Sequence, residues 1–308
     1  MIAEMDGLSI GVGLVGLFAG AEFLVRGSVS LATRLHWSPL LIGLTVVGFG
    51  TSAPELVVSV DAALRSSPAI ALGNVVGSNV ANVLLILGLT ASIFPIRGAG
   101  LRLRRDLVVM VAAGAALVPA VFLGGIGRSY GLALLAGLVL FLVLAARDRG
   151  NVASERSATV QGLLPASLTV VVGLAALVVG ARLLVDGSVA LARSAGISEA
   201  FVGVSIVAVG TSLPELATSL VAAYRGRPAI ALGNVVGSNV FNVLGILGAT
   251  AAIAPVPVAS RFALIDLPMM IAASIALTAL TWKKPVIGRG AGLAMLVAYV
   301  AYLRLSFG

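Results

Sequence analysis

The chain has 308 residues, of which 59% are hydrophobic and only 10% are charged, whereas soluble domains carry about 25% charged residues. It contains no cysteine, which excludes disulfides, thiolate metal sites and cysteine catalysis. The net charge of +8 comes from basic residues scattered over short connections, a distribution that the positive-inside rule explains better than binding to nucleic acid does.

Long apolar runs predict an all-α polytopic membrane protein. A helix that spans a bilayer needs roughly 20 apolar residues, and ten runs of that kind follow one another along the chain. They cover residues 7–33, 39–64, 68–94, 106–123, 129–146, 161–192, 197–223, 228–255, 262–282 and 288–306. The first run has no Lys or Arg before it, so it does not resemble a secretory signal peptide. We therefore predict ten transmembrane helices.

The ten spans form two halves of like sequence. A 13-residue string at residues 68–80 returns unchanged at 228–240, and 19 of 21 positions agree between 68–88 and 228–248. Each half has five spans, an odd number, so the second half must cross the membrane in the opposite sense. This predicts two inverted-topology five-helix repeats, an architecture of many secondary transporters.

The repeat also predicts the boundaries of the two units. The first unit covers residues 1–147 and the second 160–308, and a polar, Arg-rich stretch at 148–159 connects them. The motif-bearing segments are 48–88 and 208–248. Thirteen Lys and Arg residues fall in connections on one predicted side of the membrane and five on the other. The positive-inside rule therefore places both termini outside the cytoplasm.

The first span of each half carries two opposite charges four residues apart. Glu22 precedes Arg26 in the first half, and at matched positions Arg182 precedes Asp186, so the order of charge is reversed. Residues four apart share a helix face, and a lone charge in hydrocarbon is costly. Each pair is interpreted as an internal ion pair that neutralises and orients a long helix, with a gating role as the alternative.

The second span of each half contains a helix breaker beside a carboxylate. Pro54 removes a backbone donor, which frees carbonyl groups near Gly48 for a cation. Glu55 follows Thr51 by four residues and Ser52 by three, so the three side chains can address one point. The second half repeats the pattern with Ala208, Thr211, Ser212, Pro214 and Glu215. Oxygen ligands of these kinds are those that hard cations prefer.

The third span adds hydroxyl and amide groups. Ser78 and Asn82 share one helix face, as do Ser238 and Asn242. Asn79 and Asn239 point about 100° away from the serines and are expected to bond to backbone. Two symmetry-related glutamates, each flanked by Thr-Ser and Pro, favour a cation site over structural carboxylic acids, because ionisable residues inside a membrane are functional candidates by default.

At these residues the chain resembles the cation/calcium antiporter superfamily, and within it the prokaryotic sodium/calcium exchangers. The resemblance covers the whole chain and is carried by the doubled motifs at residues 50–56 with 68–88 and 210–216 with 228–248. It implies a prokaryotic plasma-membrane protein with four cation sites between spans 2, 3, 7 and 8. It further implies that spans 1 and 6 slide across this core.

The resemblance also implies roles for individual residues. Calcium would be held by Glu55, Glu215, Thr51 and Thr211. Sodium would also use Ser52, Ser78, Ser212 and Ser238, with the carbonyls of Gly48 and Ala208. Asn82 and Asn242 would line the middle position. The family often has Asp where this chain has Asn242, which argues against potassium co-transport and leaves only two carboxylates.

The charge of the two glutamates also predicts antiport. Two glutamates balance one Ca²⁺ or two Na⁺ in a low-dielectric site, so the two ions compete, and competition with alternating access is antiport. The alternatives are Ca²⁺/H⁺ exchange, an ion channel and an intramembrane enzyme; no motif supports the enzyme. We expect no cofactor, no nucleic-acid partner and no obligate protein partner, only the lipid bilayer and the transported Na⁺ and Ca²⁺.

Overall fold

The computed structural model describes residues 2–65, 68–97, 101–147, 160–194, 210–258, 262–283 and 286–307. Within these ranges the chain is helical apart from short connections and four two-residue strands. The helices of the first half are α1 Ile2–Leu35, α2 Pro39–Ile42, α3 Gly48–Thr51, α4 Ala53–Leu64, α5 Pro68–Ala81, α6 Gly88–Ile93, α7 Leu101–Ala115, α8 Val118–Phe122 and α9 Arg128–Arg147. Those of the second half are α10 Leu163–Ser194, α11 Leu213–Tyr224, α12 Pro228–Val240, α13 Gly248–Ile253, α14 Leu267–Lys283 and α15 Arg289–Phe307.

Four π-helical segments join these helices into longer runs, at Gly43–Val47, Asn82–Leu87, Phe241–Leu247 and Phe262–Asp266. Such wide turns are rare and frequently occur at functional sites. Two of them, beginning at Asn82 and at Phe241, continue the third span of each half directly after the repeated string.

The described helices confirm a membrane protein of helical fold. Seven of them are long and apolar enough to cross a membrane: Gly7–Leu35, Ile70–Ile93, Leu103–Phe122, Arg128–Arg147, Leu163–Leu191, Pro228–Ile253 and Phe262–Trp282. The pair Pro39–Thr51 and Ala53–Leu64, bent by 45° at the break between them, makes an eighth span if the two helices cross the membrane together. The predicted seventh span is described only from residue 210, and the tenth corresponds to α15, so the total of ten remains a prediction. The predicted connector 148–159 lies outside the described residues.

The bend in the second span follows from its sequence. Ser52 leaves helical geometry with φ −82° and ψ 9°, and Pro54 stands in the first turn of α4. Proline is tolerated there because the first helical N–H groups have no partner within the helix. Ser212, with φ −90° and ψ 5°, and Pro214 at the start of α11 repeat this geometry. Each break brings the following glutamate to the N-terminal turn of a helix.

The third spans form the centre of the molecule. In the apolar 18-residue stretch of the Pro228–Ile253 helix 94% is buried inside the protein, and in that of the Ile70–Ile93 helix 72%. In the other five long helices named above the buried share is 39% or less. Two small strand pairs join the outer ends of the two halves: Ile96–Arg97 pairs antiparallel with Val286–Ile287, and Gly125–Ile126 with Val256–Pro257. The two halves are therefore interleaved.

Helices α1 and α10 pack against each other along most of their length and run antiparallel. Along α1 the glycines at 13, 20 and 27 face Leu184, Leu177 and Val170 of α10, in descending order. A Cβ atom on Gly20 would lie 2.7 Å from the backbone N of Leu177, and one on Gly173 would lie 2.5 Å from the backbone N of Leu24. Only glycine allows the two backbones to come this close, as in other small-residue contacts between membrane helices.

The charge pairs on these two helices differ from each other. Glu22 Oε1 lies 3.6 Å from Arg26 Nε, as the spacing predicts. Within the described part of the chain, Arg182 and Asp186 form no ion pair with each other, and both are exposed. The prediction of matching internal pairs is therefore wrong for the second half.

We predict that Gly20→Ala destabilises the protein by about 1–3 kcal/mol, the usual cost of forcing extra atoms into a packed contact. The added methyl group would meet the α10 backbone, which cannot move aside as a flexible side chain could. Thermal unfolding of the purified protein in detergent measures the effect.

Gly11→Ala on the same helix is the matched control, because a Cβ there has no atom within 4 Å. Helix propensity alone would make this variant more stable by roughly 0.5–1 kcal/mol. Equal unfolding temperatures for the two variants would contradict the close contact.

Candidate cation site

Two glutamates from the two halves lie deep in the protein at the two helix breaks. Glu55 and Glu215 are each 1% exposed. Ser52 Oγ donates to Glu215 Oε1 at 2.9 Å, and Ser212 Oγ donates to Glu55 Oε1 at 3.3 Å. Each carboxylate is thus held by the serine of the other half. The structure brings together four of the predicted ligands at one place.

The second oxygen of each carboxylate remains available to an ion. Glu55 Oε2 and Glu215 Oε2 are buried and have no hydrogen-bond donor among the described residues. A buried carboxylate oxygen without a donor or cation is costly. The arrangement therefore suits a bound cation, which would supply the missing positive charge.

The threonines of the two motifs are in different environments. Thr51 Oγ1 donates to Asn234 Oδ1 at 3.0 Å. Thr211 Oγ1 is buried without a hydrogen-bond partner in the described part of the chain. Both threonines precede their glutamate by four residues, and the sequence therefore predicts that the two positions are equivalent. Their hydroxyl groups nevertheless differ in hydrogen bonding.

The Gly48 carbonyl, predicted to be freed for a cation by the helix break, has hydrogen-bond donors within the protein. The Gly48 carbonyl accepts hydrogen bonds from Ser238 Oγ at 3.1 Å and from the backbone N–H of Ser52 at 3.2 Å. The predicted ligand Ser78, related to Ser238 by the 160-residue offset, is likewise buried. Ala208, the predicted counterpart of Gly48, lies outside the described residues.

Four asparagines connect the two third spans reciprocally. Asn79 Nδ2 donates to the Asn239 carbonyl at 3.2 Å, and Asn239 Nδ2 donates to the Asn79 carbonyl at 3.3 Å. Backbone bonding of these two side chains was expected, but the backbone groups belong to the opposite half. Asn82 Nδ2 donates to Asn239 Oδ1, and Asn242 Nδ2 donates to Asn79 Oδ1, both at 3.0 Å.

This network orients the predicted middle ligands. With their nitrogens used, the Oδ1 atoms of Asn82 and Asn242 remain buried without a donor among the described residues. An amide oxygen without a donor can bind a cation but adds no charge. The middle of the site is therefore polar and neutral.

Sequence reasoning gave no role to two pairs of residues that support the glutamates. Asn74 Nδ2 donates to the Glu55 carbonyl at 3.2 Å and to Ser59 Oγ at 3.0 Å. Asn234 Nδ2 makes the same bonds to the Glu215 carbonyl and Ser219 Oγ, at 3.1 and 3.0 Å. The signal was present in the sequence, because each serine follows its glutamate by four residues in both halves.

The site consists of oxygen ligands with two carboxylates. No three His, Cys, Asp or Glu side chains cluster anywhere in the described ranges. Carboxylate, hydroxyl, amide and carbonyl oxygens suit Ca²⁺ and other hard cations. They do not suit soft or strongly N-binding transition metals.

Comparison with known proteins agrees with this geometry. A family model described as sodium/calcium exchanger protein matches residues 7–147 and again 166–308. The chain belongs to the sodium/calcium exchanger protein family. As a member of this family it is an integral membrane protein, and the cluster around Glu55 and Glu215 is its candidate cation site.

Individual relatives extend over almost the whole chain. CaxA of Alkalimonas amylolytica, a candidate antiporter, is 38% identical and covers 96% of this chain and 97% of its own. The inner membrane protein YrbG of Escherichia coli (strain K12) is 34% identical and covers 96% and 95%. A solved structure of the sodium-calcium exchanger NCX_Mj superposes with a TM-score of 0.87, 31% identity and 99% coverage of both chains.

We predict that Asn79→Ala and Asn242→Ala are non-additive, because each change removes the same buried hydrogen bond, from Asn242 Nδ2 to Asn79 Oδ1. Loss of this bond costs about 1 kcal/mol. After the first change the second has no such bond left to remove. A double-mutant cycle of thermal unfolding in detergent measures the coupling, and additive effects would show that the two amides do not bind each other.

Proposed function

We propose that this protein exchanges Na⁺ for Ca²⁺ across the membrane as a secondary antiporter. The observation that carries the proposal is the pair of buried glutamates from opposite halves, each with one carboxylate oxygen lacking a donor among the described residues. Membership of the sodium/calcium exchanger family and the likeness to NCX_Mj support the choice of ions.

In the proposed site, Ca²⁺ binds between the two glutamates and the two threonines. The ligands of Ca²⁺ are Glu55, Glu215, Thr51 and Thr211. Sodium ions use the same carboxylates with serine hydroxyls and backbone carbonyls: Ser52, Ser212, Ser78, Ser238, Gly48 and Ala208. Asn82 and Asn242 line the middle position through their amide oxygens. A hydroxyl has one donor and two acceptor lone pairs, so Ser52 can donate to Glu215 while it binds a cation.

The mechanism follows from the charge of the site. Two carboxylates are neutralised by one Ca²⁺ or by two Na⁺, and an uncompensated buried charge is costly. The two kinds of ion therefore replace each other rather than bind together. If the site opens alternately to the two sides of the membrane and changes sides only when neutral, the net process is exchange.

We further propose the architecture that this mechanism needs. Ten spans form two inverted repeats, residues 1–147 and 160–308, joined by residues 148–159. The antiparallel packing of the like helices α1 and α10 supports the inversion, as do the reciprocal hydrogen bonds between Ser52 and Glu215 and between Ser212 and Glu55. The protein would lie in a prokaryotic plasma membrane with both termini outside the cytoplasm.

We predict that Glu55→Gln and Glu215→Gln each reduce sodium-driven exchange at least 100-fold. Glutamine keeps the size of the side chain but removes one of the two charges that balance Ca²⁺. The measurement is ⁴⁵Ca²⁺ uptake into liposomes under an outward sodium gradient. Flux at the rate of the unmodified protein in either variant would contradict the site.

Two controls separate this result from general effects. Asp266→Asn removes a carboxylate that is bound by Tyr302 and Ser306 in the outer helices, and it should retain exchange. Calcium uptake driven by a pH gradient in the absence of sodium would instead identify a Ca²⁺/H⁺ antiporter. A single-channel current at saturating calcium would identify a channel.

We predict that alkaline phosphatase fused after residue 308 is active, because the C-terminus lies outside the cytoplasm, and that a fluorescent protein fused there is not fluorescent. The asymmetry of the basic residues, thirteen against five, generates this orientation. Paired alkaline phosphatase and fluorescent protein fusions measure it, since each reporter works on one side only. A fusion within the connector 148–159 is the matched control and should give the reverse result.

A further inference from the structure

A cavity opens to the surface between α4 and α10. Its volume is about 240 Å³, and its lining includes Val57 and Val58 of α4, Arg182 and Asp186 of α10, and Thr211. Val57 is 59% exposed and Val58 is 38% exposed. The cavity extends to Thr211, a proposed ligand, whereas Glu55 and Glu215 do not line it and are each 1% exposed. This opening is the passage beside α4.

The corresponding surface in the other half is closed. Ala217 and Thr218 of α11 occupy the positions 160 residues after Val57 and Val58, and they are only 6% and 0% exposed. They are covered because α1 packs against α11. The structure thus has one open and one closed passage, although the two halves have nearly the same sequence in the core.

An ion pair joins the two helices of the closed passage. Arg225 Nε, at the end of α11, lies 2.7 Å from Glu22 Oε2 of α1, and the Glu22 side chain is 23% exposed. Arg26 is the other cation near Glu22, at 3.6 Å. The pair connects residues more than 200 positions apart and belongs to neither repeat alone.

The same contact cannot form on the open side. Position 182, equivalent to Glu22, is Arg182, and position 65, equivalent to Arg225, is Arg65, so these groups repel each other. However, Asp61 stands one turn before Arg65, and Asp61 Oδ2 lies 2.7 Å from Arg65 Nε. The position in α11 that corresponds to Asp61 is the apolar Val221. Arg182 has no ion pair within the described part of the chain in this open arrangement. Asp61 is the carboxylate near this end of α4, and it can receive Arg182 by sharing with or leaving Arg65, which now contacts both of its oxygens.

We propose that Glu22–Arg225 holds the passage beside α11 closed, and that Arg182–Asp61 holds the passage beside α4 closed when the molecule reverses. This inference rests on the proposed exchange function, because it assigns the two pairs to the two ends of the transport cycle. Since α1 and α10 touch through glycine along their length, they move as one unit, and closing one passage opens the other. The reversed order of charge in the two halves gives each end state its own ion pair.

The absence of native cysteine allows a direct test by thiol labelling. Single cysteines at Val57 and Ala217, a matched pair 160 residues apart, report the open and the closed passage. Each is combined with Arg225→Gln, with Arg182→Gln and with the control Arg128→Gln, and labelled with a maleimide in detergent without calcium. If Ala217→Cys prevents folding, Thr218→Cys reports the same passage.

The two arginine variants should act in opposite directions. Loss of one partly exposed ion pair shifts a two-state equilibrium by a factor of roughly 1.5 to 5. Arg225→Gln should therefore accelerate labelling at position 217 by that factor and slow it at position 57. Arg182→Gln should slow labelling at 217, because it removes only the pair of the reversed state. Arg128→Gln should change neither rate.

The outcomes distinguish this proposal from the proposed function. Unchanged labelling in Arg225→Gln, or a change of the same sign in Arg182→Gln, overturns the two-pair mechanism even if sodium-driven calcium flux is intact. The expected labelling pattern in a protein that shows no calcium exchange supports the two pairs and overturns the assignment of the transported ions. Unfolding temperatures confirm that each variant is folded.

Discussion

The structure depends on two carboxylates that are buried in a largely apolar protein without enough hydrogen-bond donors. Glu55 and Glu215 each receive one serine hydroxyl from the opposite half, and each keeps an oxygen without a donor among the described residues. In a low-dielectric interior this arrangement is unfavourable unless cations neutralise it. The breaks at Ser52 and Ser212 place each glutamate in the first turn of the helix that follows.

The surroundings of the two glutamates are built to keep them in place. Asn74 and Asn234 bind the glutamate carbonyls and the serines one turn later. The side-chain amides of Asn79 and Asn239 each donate to a backbone carbonyl of the opposite third span. A rigid core of this kind suits a site whose ligands must keep their geometry while the ions are exchanged. Helices α1 and α10 are joined by their glycine contact into one antiparallel pair, and α1 also packs against Ile42, Val47 and Ala222 of the core spans.

Near-identity of the two halves does not make the structure symmetric. Thr51 has an amide acceptor where Thr211 has none in the described part of the chain. The α1 side is packed and the α10 side has a cavity. Two equivalent halves that adopt different packings at the same time are what alternating access requires, because exchanging the two packings turns the site from one side of the membrane to the other.

Local sequence was enough to predict the membrane class, the two like halves, the helix breaks and the residues proposed for the site. Each of these depends on local chemistry: apolar length, proline geometry, or oxygen ligands at helical spacing. The family resemblance supplied the ions of the proposed exchange.

Sequence spacing could not decide which groups meet across the halves. It suggested that Arg182 and Asp186 pair, but they do not, because an exposed pair gains little from contact. It placed Glu22 beside Arg26, yet the shorter contact is to Arg225, more than 200 residues away. The partners of these side chains, and which passage is closed, could be seen only in the folded protein. Both depend on how α1 and α10 lie across the core rather than on neighbouring residues in the chain.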